Sequence, residues 1–328
     1  MKAWIGSSRG SAVSYALVAI DQPAAAADEL LIRIRAVSIN RVDQNPSGSH
    51  FNHSPPAPAA IPGLEIAGEV VSVGAGASGF CEEEHVTAMV QGGCAEYVRV
   101  KAALAIRVPP GMSWAAAAAI PVSYLTAHNA LVTLGRLAPG GSVLIHAATS
   151  GVGLAALQLA ALRAAAAIIG TTTSESKLER LRNLGATLCL TDPYRGFHDA
   201  DLEHTGGRGV DVVIDNIGGS PLNDIMRCTA LGGAIVNVGR LGGTEARLDL
   251  NLHALRHIRL LGATFRTRTL DERAQVVRDF LADHAAALAN GSLAPVVDSV
   301  FAFDQLPAAM QRSVQREQFG KIVLEVPA

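Results

Sequence analysis

The sequence predicts an α/β chain in which a doubly wound parallel sheet, covered by helices on both faces, follows a β-rich region. Three observations predict it. From about Pro121 to His257, short apolar runs alternate with helical ones, the rhythm of a parallel sheet buried on both sides. Ahead of that stretch lie short alternating runs broken by Gly and Pro, which suit half-buried strands. A length of 328 residues fits two domains.

In order along the chain, LLIRIRAV (30–37) alternates apolar and basic residues as a strand with one wet face does, and EIAGEVVSVG (65–74) and AEYVRV (95–100) read the same way. Between the first two, the polar, Pro-rich 45–63 is long enough to be a functional surface segment. The Ala runs at 115–119 and 164–167 are helix-prone or buried filler. Strand SVLIHAA (142–148), helix GVGLAALQLAAL (151–162), strand AAIIGTT (166–172) and amphipathic helix ESKLERLRNLG (175–185) open the parallel series. TLCLTD (187–192), VDVVIDN (210–216) and GAIVNVG (233–239) continue it. A strand RLLGATF from Arg259, a helix over 271–290 and the strands VVDSVF and GKIVLEV complete the chain. Residues 153–170 are apolar enough to imitate a membrane span, but Gln158 and Arg163 interrupt them and the period changes near Ala165.

Composition removes several functions. With 49% apolar and 17% charged residues the chain is neither disordered nor solvating. A net charge of −2 offers no footprint for nucleic acid or an anionic membrane. The four cysteines (Cys81, Cys94, Cys189, Cys228) form no CxxC pair, a pattern of reducing compartments that also excludes a four-cysteine zinc lobe. No apolar core of signal-peptide length opens MKAWIGSSRG, so a soluble, cytoplasmic protein is expected.

The junction after the first parallel strand, Ala148-Thr149-Ser150-Gly151-Val152-Gly153, carries the most chemistry. A dinucleotide needs a tight turn, close backbone approach to its pyrophosphate and a helix N-terminus facing the anion. Of the usual GxGxxG, only the third glycine is kept, as Gly153, with Gly151 before it; a plain strand-to-helix turn is the competing reading. Some 20 residues on, where NAD-specific folds carry an acid for the ribose, the chain reads Thr171-Thr172-Thr173-Ser174. Those hydroxyls and Lys177 suit the 2′-phosphate of NADP, which favours NADPH over NADH. Glu175 argues slightly the other way, and Lys177 is equally a surface lysine paired with a nearby Glu.

These residues, with IRIRAVSINRVD (32–43), IPGLEIAGEVVSVG (61–74), AAAIPVSYLTAHNAL (117–131), VLIHAATSGVGLAALQLA (143–160), GVDVVIDNIGG (209–219), GGAIVNVGRLGG (232–243), GATFRTRT (262–269) and FGKIVLEV (319–326), resemble the medium-chain dehydrogenase/reductases, and among them the zinc-independent quinone oxidoreductases related to zeta-crystallin. The resemblance implies a β-rich GroES-like (chaperonin-10-like) catalytic domain at 1–121 with 258–328, a Rossmann domain inserted in it at 122–257, the cofactor in the cleft, and a homodimer. It implies that Asn40, Thr126, Asn216, Gly239 and Lys321 surround the nicotinamide half of NADPH, joined by Arg240, Phe265 and Arg266 from the same motifs. Ser150, Gly151, Val152 and Gly153 would take the pyrophosphate, and Thr173, Ser174, Lys177 and Tyr194 the adenosine end. Each also has a structural reading: Asn216 as a helix cap, Tyr194 as surface cover. Zinc-dependent relatives have a His where this chain has Leu64, and no cysteine stands near Asn40, so no metal is expected. The family's Tyr two residues after Gly48 is His50 here, and its Gly-Asp turn before Val86 is Glu84-His85.

Without a Lewis acid for an alkoxide, the substrate anion must stabilise itself, as a hydroquinone or an enolate does. The expected function is therefore NADPH-dependent hydride transfer to a quinone. Reduction of an α,β-unsaturated carbonyl or thioester by a polyketide-type enoyl reductase is the alternative, and an NADPH-binding, crystallin-like protein without turnover is the second. The candidate catalytic residues are Asn40, His50, Thr126 and Arg266. His50 is either a proton donor or a solvated loop histidine; His50 and His53 lack a third ligand for a metal. Arg266 and Arg268 either reach the cofactor or form a wet strand edge, and Cys94 reads as packing rather than nucleophile.

Overall fold

The computed structural model describes residues 1–9, 12–44, 59–192, 197–315 and 317–327. The chain divides into two compact units, Met1–Val122 with Phe265–Ala328, and Ser123–Thr264.

The first unit opens with a hairpin of β1 (Lys2–Arg9) and β2 (Ala12–Ala19), then β3 (Glu29–Ile39), β4 (Ala59–Ala60), β5 (Glu65–Val73), β6 (His85–Met89), β7 (Tyr97–Lys101), β8 (Ala105–Arg107) and the short helix α1 (Trp114–Ala118). β3 is central because Leu30, Ile32, Ile34 and Ala36 are buried on one face while Leu31, Val37 and Ile39 are buried too. It pairs antiparallel with both β5 and β7. Thr87 of β6 donates its hydroxyl to the carbonyls of Ile66 and Ala117, which ties α1 to the sheet. The Ser113 side chain caps α1 by accepting from the Ala116 N–H.

Helix α2 (Pro121–His128) leads through a π-helical turn, Asn129–Leu134, into the second unit. There β9 (Ser142–Ile145), α3 (Gly151–Leu162), β10 (Ala167–Thr171), α4 (Leu178–Asn183), β11 (Leu188–Leu190), α5 (Phe197–His204), β12 (Val210–Asp215), α6 (Leu222–Cys228), β13 (Thr229–Asn237), α7 (Leu250–Arg256) and β14 (Arg259–Gly262) follow in order. The six strands form a parallel sheet in the order β11-β10-β9-β12-β13-β14. Its core includes Leu144, Ile169, Val213 and Ile235, one from each of four adjacent strands and all fully buried. α3 is buried from Gly153 to Ala160, which explains its apolar content without a membrane. Its Gln158 accepts from the Tyr124 hydroxyl at 3.0 Å, and Arg163 donates to the Leu137 carbonyl at 3.2 Å. Among the described residues no helix is long and apolar enough to cross a membrane.

The chain then returns to the first unit with α8 (Leu270–Ala289), β15 (Val297–Ala302), α9 (Leu306–Val314) and β16 (Lys321–Glu325). α8 starts at a capping box between Thr269 and Glu272 and buries Val277, Phe280, His284 and Leu288 along one stripe. β16 pairs antiparallel with β3 and parallel with β15, so the large sheet runs β15-β16-β3-β5-β6-β8.

Three expectations are corrected. The boundary at 257/258 falls too early, because Arg259–Gly262 pairs with Ala234–Asn237 and belongs to the parallel sheet. The strand expected over RLLGATF stops at Gly262, so Arg266 and Arg268 do not alternate along a strand edge. The helix expected over 175–185 is a 3-10 turn, Glu175–Lys177, followed by a six-residue α4.

Candidate functional site

In the second unit the expected cofactor residues gather at the carboxyl ends of β9, β12 and β13. β10 lies on one side of β9 and β12 on the other, so the strand order reverses there, the position where open α/β sheets bind ligands. The turn after β9 is held by its own side chains. Ser150 accepts from the Gly153 N–H at 3.1 Å and donates to the Ala147 carbonyl at 2.8 Å. Ala147 takes φ +50°, a left-handed conformation uncommon for a residue with a Cβ, and its N–H reaches the Thr171 hydroxyl at 3.2 Å. A Cβ on Gly153 would stand 2.6 Å from the Ala147 carbonyl oxygen, so only glycine lets α3 pack this close to the strand end. The cap leaves the first-turn N–H groups of Gly151 and Val152 without an acceptor among the described residues. This pair of outward donors at a twelve-residue helix fits a pyrophosphate.

Across the reversal, the Asn216 amide donates to the His146 carbonyl at 2.8 Å. It therefore joins two strand ends and does not cap the following helix. The residue that shapes the 216–219 turn is Asp215, whose Oδ1 accepts the N–H groups of Ile217 and Gly218 at 3.0 and 2.9 Å, while Oδ2 accepts from the Asn237 amide. Burial raises the Asp215 carboxyl, but His146 and these N–H donors outweigh it and hold it below the usual range. The His146 Nδ1 lies 3.8 Å from Asp215 Oδ1, longer than a hydrogen bond. Gly239 packs against Asn216, whose carbonyl oxygen would stand 2.3 Å from an added Cβ. Arg240 is exposed and Thr126 half-buried on α2.

At the end of β10, Thr172 is buried and its hydroxyl accepts the Ser174 N–H at 3.3 Å, Thr173 is exposed, and the Ser174 and Ser176 hydroxyls lie 2.9 Å apart. No carboxylate stands between Thr171 and Ser174. Tyr194, expected beside them, lies outside the described residues, as do His50 and His53.

In the first unit, Asn40 and Lys321 are brought together although they are far apart in sequence. Lys321 donates to Asn40 Oδ1 at 2.7 Å and lies 2.7 Å from Glu65 Oε1. The Asn40 amide donates to the same Glu65 oxygen at 3.0 Å, and Glu65 Oε2 accepts the Val122 N–H at 2.7 Å. β3, β5 and β16 supply these residues: Asn40 follows Ile39, Glu65 opens β5 and Lys321 opens β16. Beside them Asp43 accepts the N–H groups of Asn40 (2.7 Å) and Gly63 (3.1 Å). Complete burial pushes its carboxyl up to about 7; the two N–H donors and Lys321 pull it down and Glu65 adds to the rise. Cys94 is buried, and burial together with Asp43 pushes its thiol well up, which leaves it a packing residue.

Sequence reasoning missed Glu65, Asp43, His146 and Asp215. A legible signal existed for three of them: Glu65 and Asp215 are acids and His146 a polar ring within otherwise apolar strands, where each needs a partner. Phe265 is buried, with the Arg268 guanidinium 5.5 Å from its ring centre, and Arg266 is exposed. Leu64 is buried and has no ligand atom. Of the altered turn, Glu84 pairs with Arg107 and the His85 ring sits 4.4 Å from Trp114.

Two family models match, an alcohol dehydrogenase GroES-like domain over residues 26–110 and a zinc-binding dehydrogenase over 151–283. Human synaptic vesicle membrane protein VAT-1 homolog is 31% identical over 92% of this chain and 80% of its own length. The chain belongs to the medium-chain dehydrogenase/reductase superfamily. Erythronolide synthase EryA2 of Saccharopolyspora erythraea is 34% identical over 88% of this chain, which spans 8% of that protein. Among solved structures, an NAD-dependent alcohol dehydrogenase has a TM-score of 0.85 and 28% identity, each chain covered in full. The quinone oxidoreductase from Thermus thermophilus, studied also with NADPH, has 0.82 and 28% over 99% of this chain and 100% of that one. CurK enoyl reductase has 0.84 and 25% over 99% of both chains. The chain is thus an oxidoreductase of this superfamily, built on a nucleotide-binding fold.

Proposed function

We propose that the protein is an NADPH-dependent, zinc-independent reductase that transfers hydride to a quinone. The observation that carries this reading is the buried Leu64 at the position where the zinc-dependent relatives have a ligand, set beside Asn40 and Lys321. Those side chains supply hydrogen-bond donors rather than a Lewis acid, which suits an acceptor whose anion is delocalised. When bound, the cofactor supplies the hydride. The Gly151 and Val152 N–H groups would take its pyrophosphate, Thr173, Ser174, Lys177 and Tyr194 its 2′-phosphate, and Asn40, Thr126, Asn216, Gly239, Arg240, Phe265, Arg266 and Lys321 its nicotinamide end. Preference for NADPH rests on the hydroxyl-rich, acid-free end of β10. The likeness to CurK enoyl reductase favours a second reading, reduction of an activated C=C bond. We further propose a homodimer through the free edge of β14, and a cytoplasmic enzyme on the strength of its four unpaired cysteines.

Fluorescence titration with NADPH and NADH, followed by NADPH oxidation with a benzoquinone or a crotonyl thioester, tests the reading. Tighter binding of NADPH and turnover of the quinone are expected. Turnover of the thioester alone replaces the quinone reading with the second one, tighter NADH binding overturns the cofactor assignment, and binding without any turnover removes the enzyme reading.

A further inference from the structure

Reduction by hydride leaves an anion, and every turnover consumes one proton that the nicotinamide does not carry. The chain's own residues hold such a proton in an unusual setting. Lys321 is buried, and its ammonium has three N–H bonds to place. Two are used, on Asn40 Oδ1 and on Glu65 Oε1, both at 2.7 Å. The third has no acceptor among the described residues. Glu65 is fully buried and cannot swing away, because the Val122 N–H holds its other oxygen. Asn40 is likewise fixed: its amide is on Glu65 and its N–H is on Asp43. A buried ion pair is seldom a net gain in stability over apolar packing, so an ammonium held rigidly on two sides and left open on the third calls for a chemical explanation.

We propose that Lys321 is the proton donor of the reduction, with Glu65 and Asn40 as positioning residues that hold and aim its ammonium. The proposal rests on the reductase reading above. In the step, hydride from NADPH forms a C–H bond at the β-carbon of an enone, or an O–H bond at one oxygen of a quinone. One N–H bond of Lys321 then breaks as a C–H bond forms on the enolate α-carbon, or an O–H bond on a hydroquinone oxygen. Lys321 is left as a neutral amine beside the Glu65 carboxylate and takes its proton back from water, so one hydride and one solvent proton are consumed.

The experiment compares wild type with Lys321→Met, Lys321→Arg and Glu65→Gln. It uses NADPH titration and two electrophiles, the enone 1-octen-3-one and 9,10-phenanthrenequinone. The enolate of the first must be protonated on carbon, whereas the anion of the second can leave and be protonated in water. Arg keeps the charge but gives up its proton far less readily than Lys. Measured at saturating NADPH, both Lys321 variants should lose about a hundredfold or more in kcat with the enone, a typical general-acid contribution, but less than about tenfold with the quinone. Glu65→Gln should show the same split in smaller measure. NADPH binding weakened about tenfold or more with kcat kept would make Lys321 a cofactor ligand only, and equal losses on both electrophiles would make it structural; either overturns the proposal. Should the variants not fold, the wild-type solvent deuterium isotope effect on kcat decides: a value of about two or more is expected with the enone, and unity overturns the proposal. A wild-type protein that binds NADPH and oxidises it with neither compound removes the reductase reading, and the donor role with it.

Discussion

Asp43 and Asp201 are carboxylic acids that the fold prefers neutral. Both are fully buried, both are pushed up to about 7, and burial is the leading cause in each. Neither oxygen of Asp201 has a hydrogen-bond partner among the described residues. A carboxyl raised in the folded state gives stability that is complete below its unfolded value near 4 and is lost as pH climbs through the folded one. The protein should therefore melt at a higher temperature at pH 5 than at pH 8, each acid accounting for up to about 3 kcal/mol of the difference. Thermal melts of Asp43→Asn and Asp201→Asn across that range check it, since each variant should flatten the profile; a wild type most stable at pH 8 would contradict the account. Ala147 gives a second residue-scale prediction. At φ +50° it bears about 1–2 kcal/mol of left-handed strain that glycine escapes, against about 0.4–1 kcal/mol of extra unfolded-chain freedom. Ala147→Gly should leave the melting temperature unchanged or raise it by a few degrees, and a clear drop would show that its methyl group packs productively.

At the scale of elements, α3 stands against the end of β9 because Gly153 lacks a side chain. Gly153→Val would force the helix away from the Ala147 carbonyl and the Ala148 backbone, neither of which can yield cheaply. A loss of about 1–3 kcal/mol or more in urea unfolding is expected, together with loss of NADPH binding by fluorescence; retained affinity would remove this turn from the phosphate site. The same helix shows what the sequence discloses. α3 runs over 151–162 as its pattern predicts, starting at the Ser150 cap, and β3 and β5 begin within a residue of the expected positions. α6, α7 and α9 are seven to nine residues long, too short for their periodicity to stand out, and none was foreseen. The phosphate turn was legible because its residues are contiguous. The cluster around Lys321 was only half legible: Asn40 and Lys321 came from the family resemblance, whereas Glu65 and Asp43 become partners only through the pairing of β16, β3 and β5.

At the scale of the whole molecule, the parallel sheet ends at β14, which among the described residues pairs on one side only. Leu260 on that strand, with Leu250 and Leu255 of α7, is exposed to an extent unusual for so many large apolar side chains. Leu260→Lys should convert a dimer to a monomer in sedimentation; a wild-type monomer would remove the proposed assembly. The threading of the chain has a kinetic meaning as well. Strand partners in the second unit lie at most 69 residues apart, as Val212 and Val143 do, but in the first unit β3 must wait for β16, and Trp4 donates its indole N–H to the Phe303 carbonyl. During synthesis the nucleotide-binding unit can be complete while the sheet that began before it still lacks β15 and β16, the two strands at one of its ends. A ribosome-stalled nascent chain ending after Thr264 should thus resist protease across Ser123–Thr264 and be cut within Met1–Val122, leaving the last strand to emerge as the one that closes the fold.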